Sequence, residues 1–212
     1  VIGEVIKGFR VVAQVGRGGM GEVWAAEQPL IRVANEVGWI DRDGKITRIH
    51  VPTPQAGPAG IVGGLDSAMW FTEENVNKIG RVALGPGAVP VEYPLAGNVR
   101  PHGITLGPDG NLWFTSLGNG EIGRMSPCGE PTAFPVGIQS AQIVAGPDGN
   151  LWFAEEHDHA VGRITPDGIV TSFPVGSDGD TTTAIARGTN RDVWFAETTS
   201  DKVGRIEMCA SD

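Results

Sequence analysis

The sequence predicts an all-β fold of the β-propeller type, on three observations. A Trp-centred unit recurs as Ala68-Met-Trp70-Phe-Thr-Glu73, Gly107-Pro-Asp-Gly-Asn-Leu-Trp113-Phe-Thr, Gly146-Pro-Asp-Gly-Asn-Leu-Trp152-Phe-Ala-Glu155 and Asp192-Val-Trp194-Phe-Ala-Glu197, with a degenerate copy at Gly21-Glu-Val-Trp24-Ala-Ala-Glu27. The five tryptophans are 46, 43, 39 and 42 residues apart. Each is followed by an apolar-Gly-Arg element, Ile79-Gly-Arg81, Ile122-Gly-Arg124, Val161-Gly-Arg163 and Val203-Gly-Arg205, with a weaker Val37-Gly-Trp39 after Trp24. A period of about 40 residues holding four short strands is the mark of propeller blades.

Each element follows from its residues. The first strand ends at a glycine, and Asp109-Gly110 or Asp148-Gly149 turns the chain, since glycine accepts positive φ. Leu-Trp-Phe is the second strand, with large apolar groups on both faces, as a strand covered on both sides requires. Apolar-Gly-Arg is the third. Segments such as Pro166-Asp-Gly-Ile-Val-Thr-Ser-Phe-Pro174 turn again and supply a fourth. Arg81, Arg124, Arg163 and Arg205 recur with the period and read as structural. Five blades in one domain, 1–212, are expected. The residues after Trp194 and those before Trp24 together make one more repeat length. The strand-like Val5-Ile-Lys-Gly-Phe-Arg-Val-Val12 is therefore expected to join the last blade as its missing outer strand, removing an exposed edge. The alternative is part of a larger propeller that completes itself against a second chain. The expected state is thus a monomer, with a dimer if the ring is incomplete.

Composition agrees with a packed, turn-rich protein: 32 Gly and 15 Pro among 212 residues, but 40% hydrophobic residues and six Trp. No apolar run has the roughly 18 residues of a membrane span, and no signal peptide is read at the start. A net charge of −9 without a basic tract excludes nucleic acid as a partner. Cys128 and Cys209 fall at equivalent loop positions two blades apart, beyond disulfide reach, so two free thiols are expected.

Gly16-Arg-Gly18-Gly-Met-Gly21-Glu-Val23, preceded by Gly8-Phe-Arg-Val-Val, resembles the glycine-rich loop that opens a bacterial Ser/Thr protein kinase. In Ile31-Arg-Val-Ala-Asn-Glu36, however, a glutamate stands where that family has its phosphate-binding lysine, and neither His-Arg-Asp nor Asp-Phe-Gly follows. Phosphotransfer lacks its base and both metal ligands. The segment is in phase with the repeat and is expected to serve as a blade.

From about residue 44 to 205 the chain resembles the streptogramin B lyase family, the virginiamycin B lyase-like propellers. The resemblance rests on Asp43-Gly-Lys-Ile-Thr47, Pro52-Thr-Pro54, Trp70-Phe-Thr-Glu-Glu-Asn-Val-Asn-Lys-Ile-Gly-Arg81, Arg100-Pro-His-Gly-Ile-Thr105 and the two Gly-Pro-Asp-Gly-Asn-Leu-Trp-Phe units. It implies ring-opening elimination at the ester of a cyclic depsipeptide antibiotic. A base takes a proton beside a carbonyl, the ester oxygen leaves as a carboxylate, and Mg2+ polarises the carbonyl. Imidazoles suit such a base and carboxylates suit such a metal. It also implies bacterial origin, an expected cytoplasmic location and a small cyclic peptide or similar ligand on the open face of the ring. The family's members usually have seven blades.

Because the first and second strands are antiparallel, the start of one and the end of the other share one end of the blade. His102 is the candidate there, as catalytic base or as substrate contact. Arg100 precedes it and Ser116 ends the next strand, where the family's catalytic blade carries acidic residues. The positions equivalent to His102 are Ala59, Ala141 and Thr183. Glu73 and Glu74 are candidate substrate contacts. Glu155 and Glu156, in the run Glu155-Glu-His157-Asp-His159, are candidate metal ligands. Recurrence of Glu73, Glu155 and Glu197 at one repeat position equally fits a structural role. The competing reading is a non-catalytic binding or sensor propeller of kinase-associated type, or a chimera without ligand.

Overall fold

The computed structural model describes residues 5–6, 9–18, 21–27, 35–40, 44–85, 87–155, 159–175 and 181–208, with side chains from residue 35 onward. The chain divides into two compact units, Val1–Leu95 and Ala96–Asp212. Both are built from antiparallel sheets, and one 3-10 turn at Glu74–Val76 is the sole helical element among the described residues.

The first unit holds two sheets. One runs in the order β1 (Val5–Ile6), β2 (Phe9–Gly18), β3 (Gly21–Glu27), β4 (Glu36–Ile40) and β5 (Ile46–His50). The other is β6 (Pro58–Gly63), β7 (Ala68–Glu73), β8 (Lys78–Ala83) and β9 (Val91–Pro94). Their shared core is Val37, Ile49, Val51, Ala56, Met69, Phe71 and Val82. The kinase-like segment is the β2–β3 hairpin, closed where Gly18 pairs with Gly21. Glu36 faces Arg48 at 3.9 Å on the surface. Buried Asn35 instead clamps the chain, donating to the Val51 carbonyl at 2.6 Å and accepting from Ala56 N–H at 2.9 Å.

The second unit holds three sheets. They are β10 (Pro101–Leu106), β11 (Leu112–Ser116), β12 (Glu121–Met125) and β13 (Pro131–Pro135); then β14 (Ser140–Ala145), β15 (Leu151–Glu155), β16 (Ala160–Ile164) and β17 (Val170–Pro174); then β18 (Thr182–Arg187), β19 (Asp192–Glu197) and β20 (Lys202–Glu207). The first strands β10, β14 and β18 run beside one another. The Thr115 hydroxyl reaches the Ala141 carbonyl at 2.9 Å, and Gln142 Oε1 accepts from Ile185 N–H at 3.2 Å. Trp113 packs on Leu151 and Phe153 of the next sheet, and Trp152 on Val193 and Phe195 of the one after. The Trp-Phe pair thus fills both faces of its strand, as its composition requires.

The recurring residues assemble into one module. Trp70, Trp113, Trp152 and Trp194 pair across the ladder with Arg81, Arg124, Arg163 and Arg205. Each guanidinium lies over its indole, 5.5–5.8 Å from the ring centroid. An aromatic from the fourth strand stacks on three of these indoles: Tyr93 on Trp70, Phe134 on Trp113 and Phe173 on Trp152, at 5.2–5.4 Å. The indole N–H donates to the turn aspartate, at 3.0 Å for both Asp109 and Asp148. In the last sheet that carboxylate comes from Asp192, two residues before its tryptophan. The glycine of apolar-Gly-Arg is obligatory: a Cβ at Gly80, Gly123, Gly162 or Gly204 would enter the ring of Phe71, Phe114, Phe153 or Phe195. The arginines and these glycines are therefore structural here, as the period of the arginines implied.

The N-terminal strand departs from expectation. Val5–Ile6 pairs with Phe9 and Arg10 of β2, so the strand expected to complete the last blade belongs to the first sheet. Ile6 meets Phe9 only three residues on, and so tight a hairpin closes at little entropic cost. The last sheet has three strands among the described residues. Cys128 is a free, exposed thiol; Cys209 lies outside the described residues.

Candidate functional site

In each repeat the first strand starts opposite the end of the second: Pro58 pairs with Glu73, Pro101 with Ser116, Ser140 with Glu155 and Thr182 with Glu197. A register shift follows each of these pairs. One end of each sheet thus collects polar side chains that the strands bury: Glu73, Ser116, Ser140, Glu155, Thr182 and Glu197.

His102 is the second residue of β10 and half-buried. Its strand leaves Arg100, held at φ +48 in the left-handed region where a side chain is rarely accommodated. Ser116 latches this end. Its hydroxyl donates to the Val99 carbonyl and accepts from the N–H groups of Gly118 and Asn119 at 3.3 and 3.2 Å. Leu117 N–H binds the Arg100 carbonyl at 3.1 Å, and Gly118 N–H the Val99 carbonyl at 3.0 Å. The backbone leading into His102 is therefore fixed. In the sequence Ser116 stands out only as a position without the acidic residue of the other copies. The latch was signalled by nothing more than a Ser followed by Gly and Asn.

Glu73, expected as a candidate substrate contact, has no exposed surface. Neither of its carboxylate oxygens has a hydrogen-bond partner among the described residues. Burial pushes its pKa up to about 7; the nearby Glu92 carboxylate adds to the rise and the Lys78 ammonium opposes it. Glu92 is itself locked. It accepts from Lys78 Nζ at 2.7 Å and from Thr53 N–H and Oγ at 2.8 and 2.6 Å, while Lys78 Nζ also donates to Thr53 Oγ at 2.6 Å. Partial burial works to raise the Glu92 pKa, but these bonds outweigh it and hold it below the usual range. Glu74 is half-buried at the start of the 3-10 turn, its N–H bound to the Gly57 carbonyl at 3.1 Å.

Glu155 is fully buried and accepts from the Ser172 hydroxyl at 3.0 Å. Glu156, His157 and Asp158 lie outside the described residues. His159 is half-buried in a left-handed turn at φ +49. Glu197 accepts from the Ser200 hydroxyl at 3.1 Å. Among the described residues no group of three or more His, Cys, Asp or Glu side chains is placed to hold a metal ion. His102 and Glu155 thus share the second unit, on neighbouring sheets, while Glu73 and Glu74 belong to the first. A separate hollow of about 280 Å³ in the first unit, lined by Trp39, Ile49, His50 and the 87–90 loop, contains none of these candidates.

The model of the virginiamycin B lyase family matches residues 11–96 and 88–211 of this chain. Among solved structures, the chain is similar to a catalytically inactive histidine-to-alanine variant of virginiamycin B lyase from Staphylococcus aureus with quinupristin. The identity is 34% and the TM-score 0.84, over 94% of this chain and 67% of that one. It is similar also to a streptogramin B lyase, at 28% identity and a TM-score of 0.80 over 95% of this chain and 70% of that one. A putative 6-phosphogluconolactonase from Bacteroides uniformis, 16% identical with a TM-score of 0.67 over 94% of this chain and 68% of that one, shares the fold alone.

Proposed function

The chain belongs to the virginiamycin B lyase family, and from that premise we propose that it opens a cyclic depsipeptide of streptogramin B type by elimination, its five sheets acting as five blades. His102 takes the proton beside the carbonyl; the ester C–O bond breaks and the oxygen leaves as a carboxylate. One observation carries this reading. A half-buried imidazole stands at the polar end of β10 on backbone fixed by the Ser116 latch. A base must be held within hydrogen-bond reach of its proton, and such a support keeps it there. That the histidine-to-alanine variant of the S. aureus enzyme is catalytically inactive fits a histidine-dependent chemistry.

A divalent ion would polarise the carbonyl in such a reaction. The described carboxylates at this end of the second unit are already engaged, Glu121 by the Asn119 amide and Glu155 by Ser172, and the described residues do not by themselves form a magnesium site. A second reading, a binding propeller without turnover, is favoured by the residues Ala59, Ala141 and Thr183 at the positions equivalent to His102, which leave one imidazole at this place in the repeat.

The test is incubation of the purified chain with quinupristin, with and without Mg2+, followed by fragmentation mass spectrometry. Elimination opens the ring without changing its mass, whereas hydrolysis adds a water. The expected result is a linear product of unchanged mass that His102→Ala abolishes. Tight quinupristin binding with no linear product would establish the second reading, and neither binding nor product would overturn both.

A further inference from the structure

We infer that Arg100 is the carboxylate-binding residue of this site, its guanidinium receiving the ester's acyl oxygens as the C–O bond breaks, an assignment that rests on the elimination proposed above. Backbone strain, the support of that strain and the distance to His102 carry it together.

Arg100 sits at φ +48, in the left-handed region. It also precedes Pro101, whose ring drives the residue before it toward extended backbone. A bulky side chain at such a place works against folding. The second copy shows what the fold alone selects. Pro58 holds the place of Pro101 in the repeat, opposite the last residue of the second strand, and the residue before it is Gly57 at φ +63. Glycine makes this turn without a Cβ to accommodate. An arginine in a glycine's position opposes the local preference, and such departures gather at functional sites.

The strain is held in place from outside. The Val99 carbonyl accepts from both the Ser116 hydroxyl and the Gly118 N–H, and the Arg100 carbonyl accepts from the Leu117 N–H at 3.1 Å. Gly118 is packed so closely that a Cβ on it would enter the Asn98 carbonyl. Val99 is buried, whereas Arg100 is exposed. The backbone around Arg100 is thus fixed while its side chain faces outward, as preorganised ligand contacts require.

Two residues of chain separate the Cα atoms of Arg100 and His102 by at most about 7 Å, so both serve the same end of β10. His102 takes the proton, the C–H electron pair becomes the new C=C bond, and the C–O pair leaves with the carboxylate. No co-reactant enters. A guanidinium offers parallel N–H donors to both carboxylate oxygens. It binds this charge more strongly than the neutral ester, and that difference lowers the barrier.

The carboxylate can be made without the enzyme, which separates this assignment from the elimination. Alkaline hydrolysis of quinupristin gives a linear acid, and the primary amide of that acid is the uncharged control. Calorimetric titration measures both against the 212-residue chain and against Arg100→Ala, Arg100→Lys and Arg100→Gly. The acid should bind the wild-type chain about tenfold more tightly than the amide. Arg100→Ala and Arg100→Gly should reduce that preference to less than about twofold, and Arg100→Lys should keep part of it. Elimination of quinupristin should slow about a hundredfold in Arg100→Ala. Arg100→Gly should have a higher urea midpoint than wild type, which shows that its lost preference is not lost folding. Equal binding of acid and amide, or a preference that survives Arg100→Ala, overturns the assignment. So does a lower urea midpoint in Arg100→Gly, which would make the arginine a structural residue. An acid preference that needs Arg100, with no elimination product from wild type, would uphold the carboxylate site and overturn the elimination alone.

Discussion

Replacing Glu73 by glutamine should change how stability depends on pH, and the structure sets the size of the change. The carboxyl is fully buried, beside the fixed charges of Glu92 and Lys78, and its pKa is raised from 4.5 to about 7. The folded state therefore binds this proton more tightly than the unfolded chain does. The favourable contribution is fully present below about pH 4.5 and is lost as pH rises through about 7. That displacement, at about 1.4 kcal/mol per pH unit, corresponds to ~3 kcal/mol between the two limits. Glutamine has the same shape and no charge, so Glu73→Gln should be close to wild type at pH 5. At pH 8 to 9 it should be the more stable protein by up to ~3 kcal/mol. With a urea slope of about 2 kcal/mol per molar, the midpoint should rise by roughly 1 to 1.5 M. Urea titrations followed by tryptophan fluorescence at pH 5, 6, 7, 8 and 9 measure this directly. Parallel pH profiles for the two proteins would show that Glu73 ionises without cost, and the reasoning from its burial would fail.

Two further substitutions test the repeat module. Gly162→Ala puts a methyl into the space of the Phe153 ring and against Glu155 Oε1, 2.7 Å from the added carbon. Such overpacking should cost about 1–3 kcal/mol, read as a lower thermal midpoint with unchanged β-sheet circular dichroism. Arg191 sits at φ +58, in the turn position that Gly110 and Gly149 hold in two other repeats at φ +78 and +76. Arg191→Gly removes that strain and should raise stability by a few tenths to about 1 kcal/mol, as a shift in the urea midpoint.

Much of the fold was legible because the chain states it several times over. A tryptophan, a glycine and an arginine recurring at one period identify a module whose contacts are short-range in sequence: Trp152 meets Asp148, Arg163 and Phe173 within one repeat. The placement of the N-terminal strand was not legible. Counting residues says how much chain remains, but Ile6 finds a partner at Phe9, and closing so short a loop costs less entropy than a distant pairing. The polar groups were legible only as types. That Glu73 is protonated near neutrality follows from its burial, with a further push from Glu92, which lies two strands later and carries no motif. The metal expectation rested on a run of acidic and histidine residues. Its described member Glu155 turns inward to Ser172, because the second strand buries its last residue against the third and fourth.

The repeats also separate structure from chemistry inside a single chain. A residue present at one position in every copy answers a need of every copy. The four arginines illustrate this, each over its indole and within 4 Å of a turn carboxylate. Those turn carboxylates behave alike: partial burial would raise the pKa of Asp109 and Asp148, and the bonds from the neighbouring asparagine and the indole hold both below the usual range. Chemistry must instead be sought where one copy departs from the others. Departure happens at few places. At the start of the first strand, Pro-His replaces Pro-Ala, Ser-Ala and Thr-Thr; at the end of the second, Ser116 replaces a glutamate. These two departures fall on paired residues, Pro101 opposite Ser116, in the same sheet. Losing the buried carboxylate there removes a group that is costly to ionise and installs a hydroxyl that ties the neighbouring loop to the strand bearing His102. A structural explanation for Ser116 alone leaves the adjacent imidazole unexplained. A positioning role for Ser116 accounts for both, and it is why His102, among the candidate side chains, carries the proposed reaction.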